Sequence, residues 1–151
     1  MAERPLTIES NPDPRDVATL SERLYEYNAA TTGHHDGQEL AMFVRGEDGE
    51  IRGGLYSWTW AGRLHVQYLW LHESLRGQGY GSRLLAMAEA TGRQRGCVLA
   101  TVDTYSYQAP DFYRRHGYEV YGTLDGYPDG HPSIFLRKSL IEGASQTAGA
   151  R

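Results

Sequence analysis

Arg76-Gly77-Gln78-Gly79-Tyr80-Gly81 is the stretch of sequence that decides the fold of this chain. It lies between an apolar-alternating run, 64–71, and a run with helical spacing, 82–95. At a strand-to-helix junction, glycines let the backbone approach a ligand closely, and the first helical N–H groups point outward at the positive end of the helix dipole. The arginine adds a charged hydrogen-bond donor. This stretch predicts an anion-binding loop, and a diphosphate is the expected ligand.

The spacing of the loop separates three designs that bind diphosphates. A P-loop needs Lys and then Ser or Thr after its last glycine, but Ser82 and Arg83 follow Gly81. A Rossmann turn is the closer rival, because Asp103 lies about twenty residues downstream, where a ribose-binding acid would stand. However, the glycines are spaced G-x-G-x-G, and the polar stretch 72–76 separates them from the strand, whereas a Rossmann turn is tight. The pattern that remains is R-x-x-G-x-G after a long amphipathic strand.

A second motif follows in the same half of the chain. The segment from Ala109 to Tyr118, APDFYRRHGY, has an aromatic residue and Tyr113 at its centre and Gly117 before its last aromatic residue. Together with R-x-x-G-x-G and Leu71 five positions before the arginine, it resembles the GNAT acetyltransferase superfamily, whose glycine loop binds the pyrophosphate of acetyl-CoA. One departure is Ser106, which stands where many members of that family have an asparagine.

The resemblance implies a GNAT fold, an α/β fold of the α+β type. Its sheet is mixed and mostly antiparallel, and helices flank it. We expect a single GNAT domain over residues 1–141 and a disordered tail over 142–151, since the tail is small, polar and without apolar periodicity. Periodicity and turn residues predict the elements. The predicted strands are 6–9, 39–45, 51–60, 63–71, 98–104, 118–124 and 133–138, and the predicted helices are 14–29, 82–95 and 108–116.

Composition limits the remaining choices. At 151 residues the chain can form one ordinary core without disulfides, and its one cysteine, Cys97, is expected to be buried at the start of an apolar strand. No signal-like or membrane-spanning run is present, so we expect a cytoplasmic protein. A net charge of -4 argues against nucleic acid as the main partner and suits a cationic small molecule. We predict no metal site, since no Cys or third His accompanies His34 and His35 at ligand spacing.

The resemblance also implies the chemistry, which is direct transfer of acetyl from acetyl-CoA to a primary amine in a ternary complex. The Leu71 N–H would stabilise the tetrahedral oxyanion, and Tyr113 would be the general acid for the departing thiolate. The alternative for this tyrosine is a packing role. An amine with a pKa near 10 must lose a proton, and His65, predicted on the face of its strand shared with Leu71, is the candidate base. A water chain, Glu73 and Glu39 are further candidates.

The expected binding residues fall into two sets. The cofactor set is Leu69, Trp70, Leu71, Arg76, Gly77, Gln78, Gly79, Tyr80, Gly81, Ser82, Ser106 and Tyr113. The substrate set is Trp58, Trp60, Gln67, Asp125, Tyr127 and Asp129, where carboxylates and aromatic faces suit a cation. Of five aromatics that alternate along two strands, Tyr56, Trp58, Trp60, Tyr68 and Trp70, about half are expected in the core.

The acceptor is expected to be a small cationic or amino-sugar compound, such as an aminoglycoside-type antibiotic or a polyamine, so antibiotic resistance is one expected role. A protein amino terminus or lysine is the alternative acceptor. A second hypothesis, from a different class, is an acyl-CoA-sensing module without turnover. The family habit of forming homodimers makes a homodimer a further expectation.

Overall fold

The structure is a computed structural model that describes Ala2, residues 4–141 and Gly143. The chain divides into two units, Met1–His35 and Asp36–Arg151. The predicted tail, 142–151, lies outside the described residues except for Gly143. None of the described helices is long and apolar enough to cross a membrane.

The first unit contains one helix, α1, Pro14–Thr32. Asp13 caps it by accepting a hydrogen bond from the Arg15 N–H, and Gly33, with φ 79°, ends it. The helix runs three residues past its predicted end, because no helix-breaking residue precedes Gly33. The predicted strand at 6–9 was wrong, since this stretch has neither helix nor strand. The prolines on both sides of it cannot donate to a strand ladder, which leaves too short a segment for pairing.

The second unit is a six-stranded sheet with two helices. The strands are β1 Gln38–Arg45, β2 Ile51–Trp60, β3 Arg63–Leu71, β4 Leu99–Tyr105, β5 Glu119–Leu124 and β6 Ser133–Ser139; the helices are α2 Tyr80–Gln94 and α3 Pro110–Arg115. The strand order is β1-β2-β3-β4-β6-β5, and only β3 and β4 pair in parallel. This confirms the mixed, mostly antiparallel sheet, and each predicted element of this unit begins and ends within two residues of its observed bounds.

The core lies on one face of the sheet. Leu55, Leu64 and Val66 of the sheet and Leu85 and Ala88 of α2 are at most 1% exposed. They belong to one buried apolar cluster. This cluster packs β3, which precedes the glycine loop, against α2, which follows the loop. Cys97 is buried as predicted, and burial raises the pKa of its thiol.

A bulge in β3 decides which way its side chains point. Tyr56 pairs with Tyr68 but Ser57 pairs with Val66, so Gln67 is the extra residue. Beyond the bulge, the alternation of side chains is inverted: Leu69 and Leu71 pack against the core, as Leu64 and Val66 do before it.

The same bulge corrects two expectations. His65 lies on the face opposite to Leu71, because the extra residue at 67 exchanges the faces between them. None of the five alternating aromatics belongs to the core cluster; Tyr56, Trp58, Trp60, Tyr68 and Trp70 share the opposite face. On β2 the core positions are taken by Leu55 and by hydroxyl side chains, and Ser57 donates to the Leu40 carbonyl at 3.2 Å.

Candidate active site

The site is a cleft where β3 and β4 separate. These strands pair only as far as Val66 and Val102, after which β3 follows β2 and β4 follows β6. A cavity of about 640 Å³ occupies the gap. Its lining residues are Val66, Gln67, Tyr68, Leu69, Trp70, Leu71, Arg76, Gly81, Val102, Asp103, Thr104, Tyr107, Gln108, Ala109, Phe112 and Tyr113.

The exposed edge of β3 directs backbone groups into this cleft. The His72 N–H donates to the Arg52 carbonyl at 2.7 Å, and antiparallel ladder bonds occur at every second residue pair. Leu71, opposite Gly53, and Leu69, opposite Leu55, are therefore non-hydrogen-bonded pairs. Their N–H and carbonyl groups point away from β2, toward the side where β4 has separated. An extended ligand can pair with this edge as an additional strand would.

The glycine loop leads from this edge to the start of α2. Gly77 and Gly79 have φ of 75° and 83°, and a Cβ at either position would meet no protein atom within 4 Å. No side chain caps α2, so its first backbone N–H groups have no capping acceptor in the part of the chain that the structure describes. A Cβ on Gly81 would lie 3.4 Å from the Phe112 ring and 3.6 Å from Leu71. The loop thus presents open donors beside the cavity.

Arg76 and Gln78 support the loop by hydrogen bonds to backbone carbonyl groups at the end of β3 and in the turn that follows it. Arg76 Nε donates to the Leu71 carbonyl at 3.3 Å, and Gln78 Nε2 donates to the Ser74 carbonyl at 2.7 Å. The arginine also lines the cavity, so its remaining donors stand next to the open loop.

Tyr113 of α3 lines the cavity although it is only 5% exposed. Its ring contacts Phe112 and Tyr118 edge-on, with centroids 5.2 and 5.7 Å away. Burial raises the pKa of its hydroxyl to about 12, because the phenolate would lose its hydration. The group is therefore a protonated donor throughout the physiological pH range.

The structure brings part of the predicted site together. The predicted residues that line the cavity are Gln67, Leu69, Trp70, Leu71, Arg76, Gly81 and Tyr113. Five further predicted residues flank the lining residues in the loop and at the start of α2; they are Gly77, Gln78, Gly79, Tyr80 and Ser82. The remaining predicted site residues lie outside the cavity lining; they are Trp58, Trp60, His65, Ser106, Asp125, Tyr127 and Asp129.

His65 does not line the cavity, so its position does not suit the role of the base that deprotonates the amine. Its Nδ1 is 2.8 Å from the Thr101 hydroxyl and 3.2 Å from the Arg63 guanidinium, on the face away from Leu71. Burial, followed by the charge of Arg63, lowers the pKa of its imidazole. The other candidates are also outside the cavity lining: Glu39 accepts from Tyr56 at 2.7 Å, and Glu73 begins a short 3-10 turn.

Sequence reasoning missed Asp103 as a cavity residue. It is the one carboxylate among the lining residues in the described part of the chain. Tyr107 also lines the cavity; its ring stacks on Tyr105 at 5.5 Å, and Tyr127 contacts Tyr105 edge-on at 5.7 Å. Strand alternation alone could not reveal these positions, because the cleft depends on where β3 and β4 stop pairing.

Comparison with known proteins gives the same family as the motifs. The sequence model of the Acetyltransferase (GNAT) family matches residues 4–118. A blasticidin-S acetyltransferase of Streptomyces morookaense is 44% identical over 104 residues, 66% of this chain and 74% of that protein. An acetyltransferase of Agrobacterium fabrum (strain C58) is 38% identical over 126 residues, 83% of this chain and 92% of that protein.

Solved structures agree with this. The crystal structure of an acetyltransferase from Bacillus cereus superposes with a TM-score of 0.72 at 34% sequence identity, covering 89% of this chain and 97% of that one. The sequence match, the shared fold and the named relatives show what kind of protein this is: the chain belongs to the GNAT acetyltransferase family and is an enzyme of that type.

Proposed function

We propose that this enzyme transfers acetyl from acetyl-CoA to a primary amine of a small cationic or amino-sugar compound. The observation that carries the proposal is the edge of β3 that pairs with no strand beyond Val66, which leads to an open glycine loop and lines the same cavity as the buried Tyr113. The pantetheine amides can pair with the Leu69 backbone, which leaves the Leu71 N–H for the thioester, while the diphosphate binds the loop and Arg76. Use of acetyl-CoA is a family property, which this geometry suits.

The reaction can be followed atom by atom. The neutral amine nitrogen attacks the thioester carbon, and the carbonyl oxygen becomes an oxyanion that the Leu71 N–H can stabilise. The nitrogen loses a proton to water or to a base, and the C–S bond then breaks. Tyr113 donates a hydrogen bond to the departing thiolate, which takes its proton from water, so the products are the amide and the free CoA thiol.

The raised pKa of Tyr113 limits how that donation works. Full proton transfer from a phenol with a pKa of about 12 to a thiolate with a pKa of roughly 8.5 is unfavourable. Hydrogen-bond donation to the developing thiolate is the consistent role, with the final proton on sulfur exchanged through water. Positioning by the buried helix then matters more than acid strength.

This pKa predicts the pH profile. A general acid must be protonated, and burial keeps Tyr113 protonated up to about pH 12, so it causes no loss of activity at moderately alkaline pH. We expect kcat/KM for the amine to keep rising with pH up to roughly pH 10, as the ammonium loses its proton, without a decline. Initial rates from pH 6 to 10 test this. A descending limb that Tyr113→Phe removes would contradict it.

For the acceptor, we propose that Asp103 receives the cationic end of the amine substrate. It lines the cavity together with Tyr107, whose ring stacks on Tyr105, and Tyr105 in turn contacts Tyr127 edge-on. Asp125 and Asp129 are exposed on the loop between β5 and β6, where they add negative charge around Tyr127. The match to a blasticidin-S acetyltransferase makes blasticidin S the first acceptor to test.

Charge-neutralising variants check this placement. Asp103→Asn is expected to raise KM for a cationic amine by about tenfold, because a charged hydrogen bond contributes roughly 1.5–3 kcal/mol. The double change Asp125→Asn with Asp129→Asn should raise it less, since exposed charges are screened over about 8 Å. The KM for acetyl-CoA should stay nearly constant in both. If the double change in the loop raised KM more than Asp103→Asn did, the cation would be assigned to the loop instead of to Asp103.

A thiol-release screen with acetyl-CoA tests the function itself. The panel contains blasticidin S, aminoglycosides, polyamines and peptides with free amino termini or lysines. Turnover with a small cationic amine supports the proposal, and turnover confined to peptides would favour the protein-acetyltransferase alternative. Binding of acetyl-CoA without turnover of any amine would favour the acyl-CoA-sensing hypothesis. Such a result would distinguish this protein from the acetyltransferases to which it is similar.

A further inference from the structure

His116 joins the end of α3 to the start of α2. Its Nε2 lies 2.9 Å from the Ser82 hydroxyl, and its Nδ1 lies 2.8 Å from the Phe112 carbonyl oxygen. The ring also packs on Phe112, with centroids 4.5 Å apart. A half-buried histidine therefore holds the hydroxyl of a residue in the first turn of the helix that follows the glycine loop.

The directions of these hydrogen bonds are constrained. A carbonyl oxygen only accepts, so Nδ1 carries a hydrogen. In the neutral ring, Nε2 then accepts from Ser82, and the hydroxyl turns its lone pairs toward any anion at the loop. In the doubly protonated ring, Nε2–H donates to Ser82, and the hydroxyl hydrogen is free for a phosphate oxygen. Only the second arrangement attracts a diphosphate.

We infer that His116 is a positioning residue for the acyl donor: by donating to Ser82, it directs the serine hydroxyl hydrogen at the diphosphate of CoA. This inference rests on the proposed binding of the diphosphate at the glycine loop. The relay runs from the Phe112 carbonyl through the imidazole and the hydroxyl to the phosphate oxygen. Binding of the diphosphate is then accompanied by proton uptake at His116.

The charged residues close to His116 and Ser82 in the chain make no hydrogen bond or ring contact with the imidazole among the described contacts. The ring contacts only Ser82 from α2 and Phe112 from α3 among the hydrogen-bond and ring contacts of the described residues. Arg114 pairs with Asp111 at 2.6 Å, and Arg83 lies over the Tyr80 ring at 5.8 Å. Arg115, next to His116 in the chain, is exposed.

The test compares two acyl donors in the full-length protein. S-acetylpantetheine carries the thioester and both amides of acetyl-CoA but lacks the diphosphate. His116→Leu is expected to weaken acetyl-CoA binding about five- to thirtyfold and to leave S-acetylpantetheine binding unchanged. Tryptophan fluorescence can follow both donors, since Trp70 lines the cavity. Ser82→Ala should weaken acetyl-CoA to a similar degree, and the double variant should be no weaker than either single variant.

A conservative variant and proton counting separate positioning from packing. His116→Gln keeps a donor for Ser82 without a titrating ring, so it should recover most of the acetyl-CoA affinity. Calorimetry in two buffers of different ionisation enthalpy should show that the proton uptake of the parent is lost in both His116 variants, while protons taken up by the ligand itself remain.

Four outcomes are decisive. Equal weakening of both donors in His116→Leu would make the residue a packing element and overturn the inference. Unchanged acetyl-CoA affinity, or unchanged proton uptake, would overturn it as well. If the parent binds S-acetylpantetheine as tightly as acetyl-CoA, then the diphosphate site itself fails, and with it the proposed binding mode rather than the His116 relay alone.

Discussion

Replacement of Tyr113 by phenylalanine is expected to lower kcat at least tenfold, because acid catalysis typically contributes a factor of about 10² to 10⁴ and water substitutes only in part. The ring survives, so its edge-on contacts with Phe112 and Tyr118 persist and the fold is retained. Only the hydroxyl that would donate to the departing thiolate is lost. Acetyl-CoA affinity should change little, because this contact strengthens as charge develops on sulfur. Steady-state kinetics with the best amine from the screen measure the effect.

Tyr118→Phe is the matched control for Tyr113→Phe. Tyr118 is also buried, but its hydroxyl donates to Glu89 at 2.8 Å and is not among the cavity-lining groups. We expect its loss to lower stability while kcat stays near the parent value. The defect of the Tyr113 variant should also shrink with a thioester whose thiol is more acidic. Parent-like turnover of Tyr113→Phe with a normal thioester would reduce Tyr113 to a packing residue.

Gly79→Val is expected to weaken acetyl-CoA binding by well over tenfold. A Cβ at this position meets no protein atom within 4 Å, so the added side chain enters the space assigned to the diphosphate. Positive φ complicates this variant, because a branched residue at φ 83° is strained by about 1–2 kcal/mol whatever occupies that space. Calorimetric titration must therefore be read against a control with the same strain.

Gly96 supplies that control at the other end of α2. Its φ is 82°, and a Cβ there also meets no atom within 4 Å. Gly96→Val should lower thermal stability about as much as Gly79→Val does, while acetyl-CoA affinity stays at the parent value. Equal affinities in the two variants would place the diphosphate somewhere other than the glycine loop.

The sequence by itself determined the family, the order of elements and the loop that is proposed to hold the diphosphate. These features are local: Gly77 and Gly79 adopt positive φ within one turn, Pro110 begins α3, and strand or helix periodicity extends over neighbouring residues. The hairpin strands β2 and β3 were predicted at their observed bounds for that reason. The predicted strand at 6–9 was wrong because a strand needs a partner, which short-range patterns do not supply.

Only the tertiary structure decided which side chains share the cleft. Simple alternation placed His65 on the face of Leu71, but the bulge at Gln67 moved it to the other face, and a bulge appears only in the pairing of two strands. Asp103 entered the site because β4 leaves β3 after Val102, and His116 met Ser82 across 34 positions of the chain. These contacts depend on where distant segments pack, so the residues near the chemistry could not be read from spacing alone.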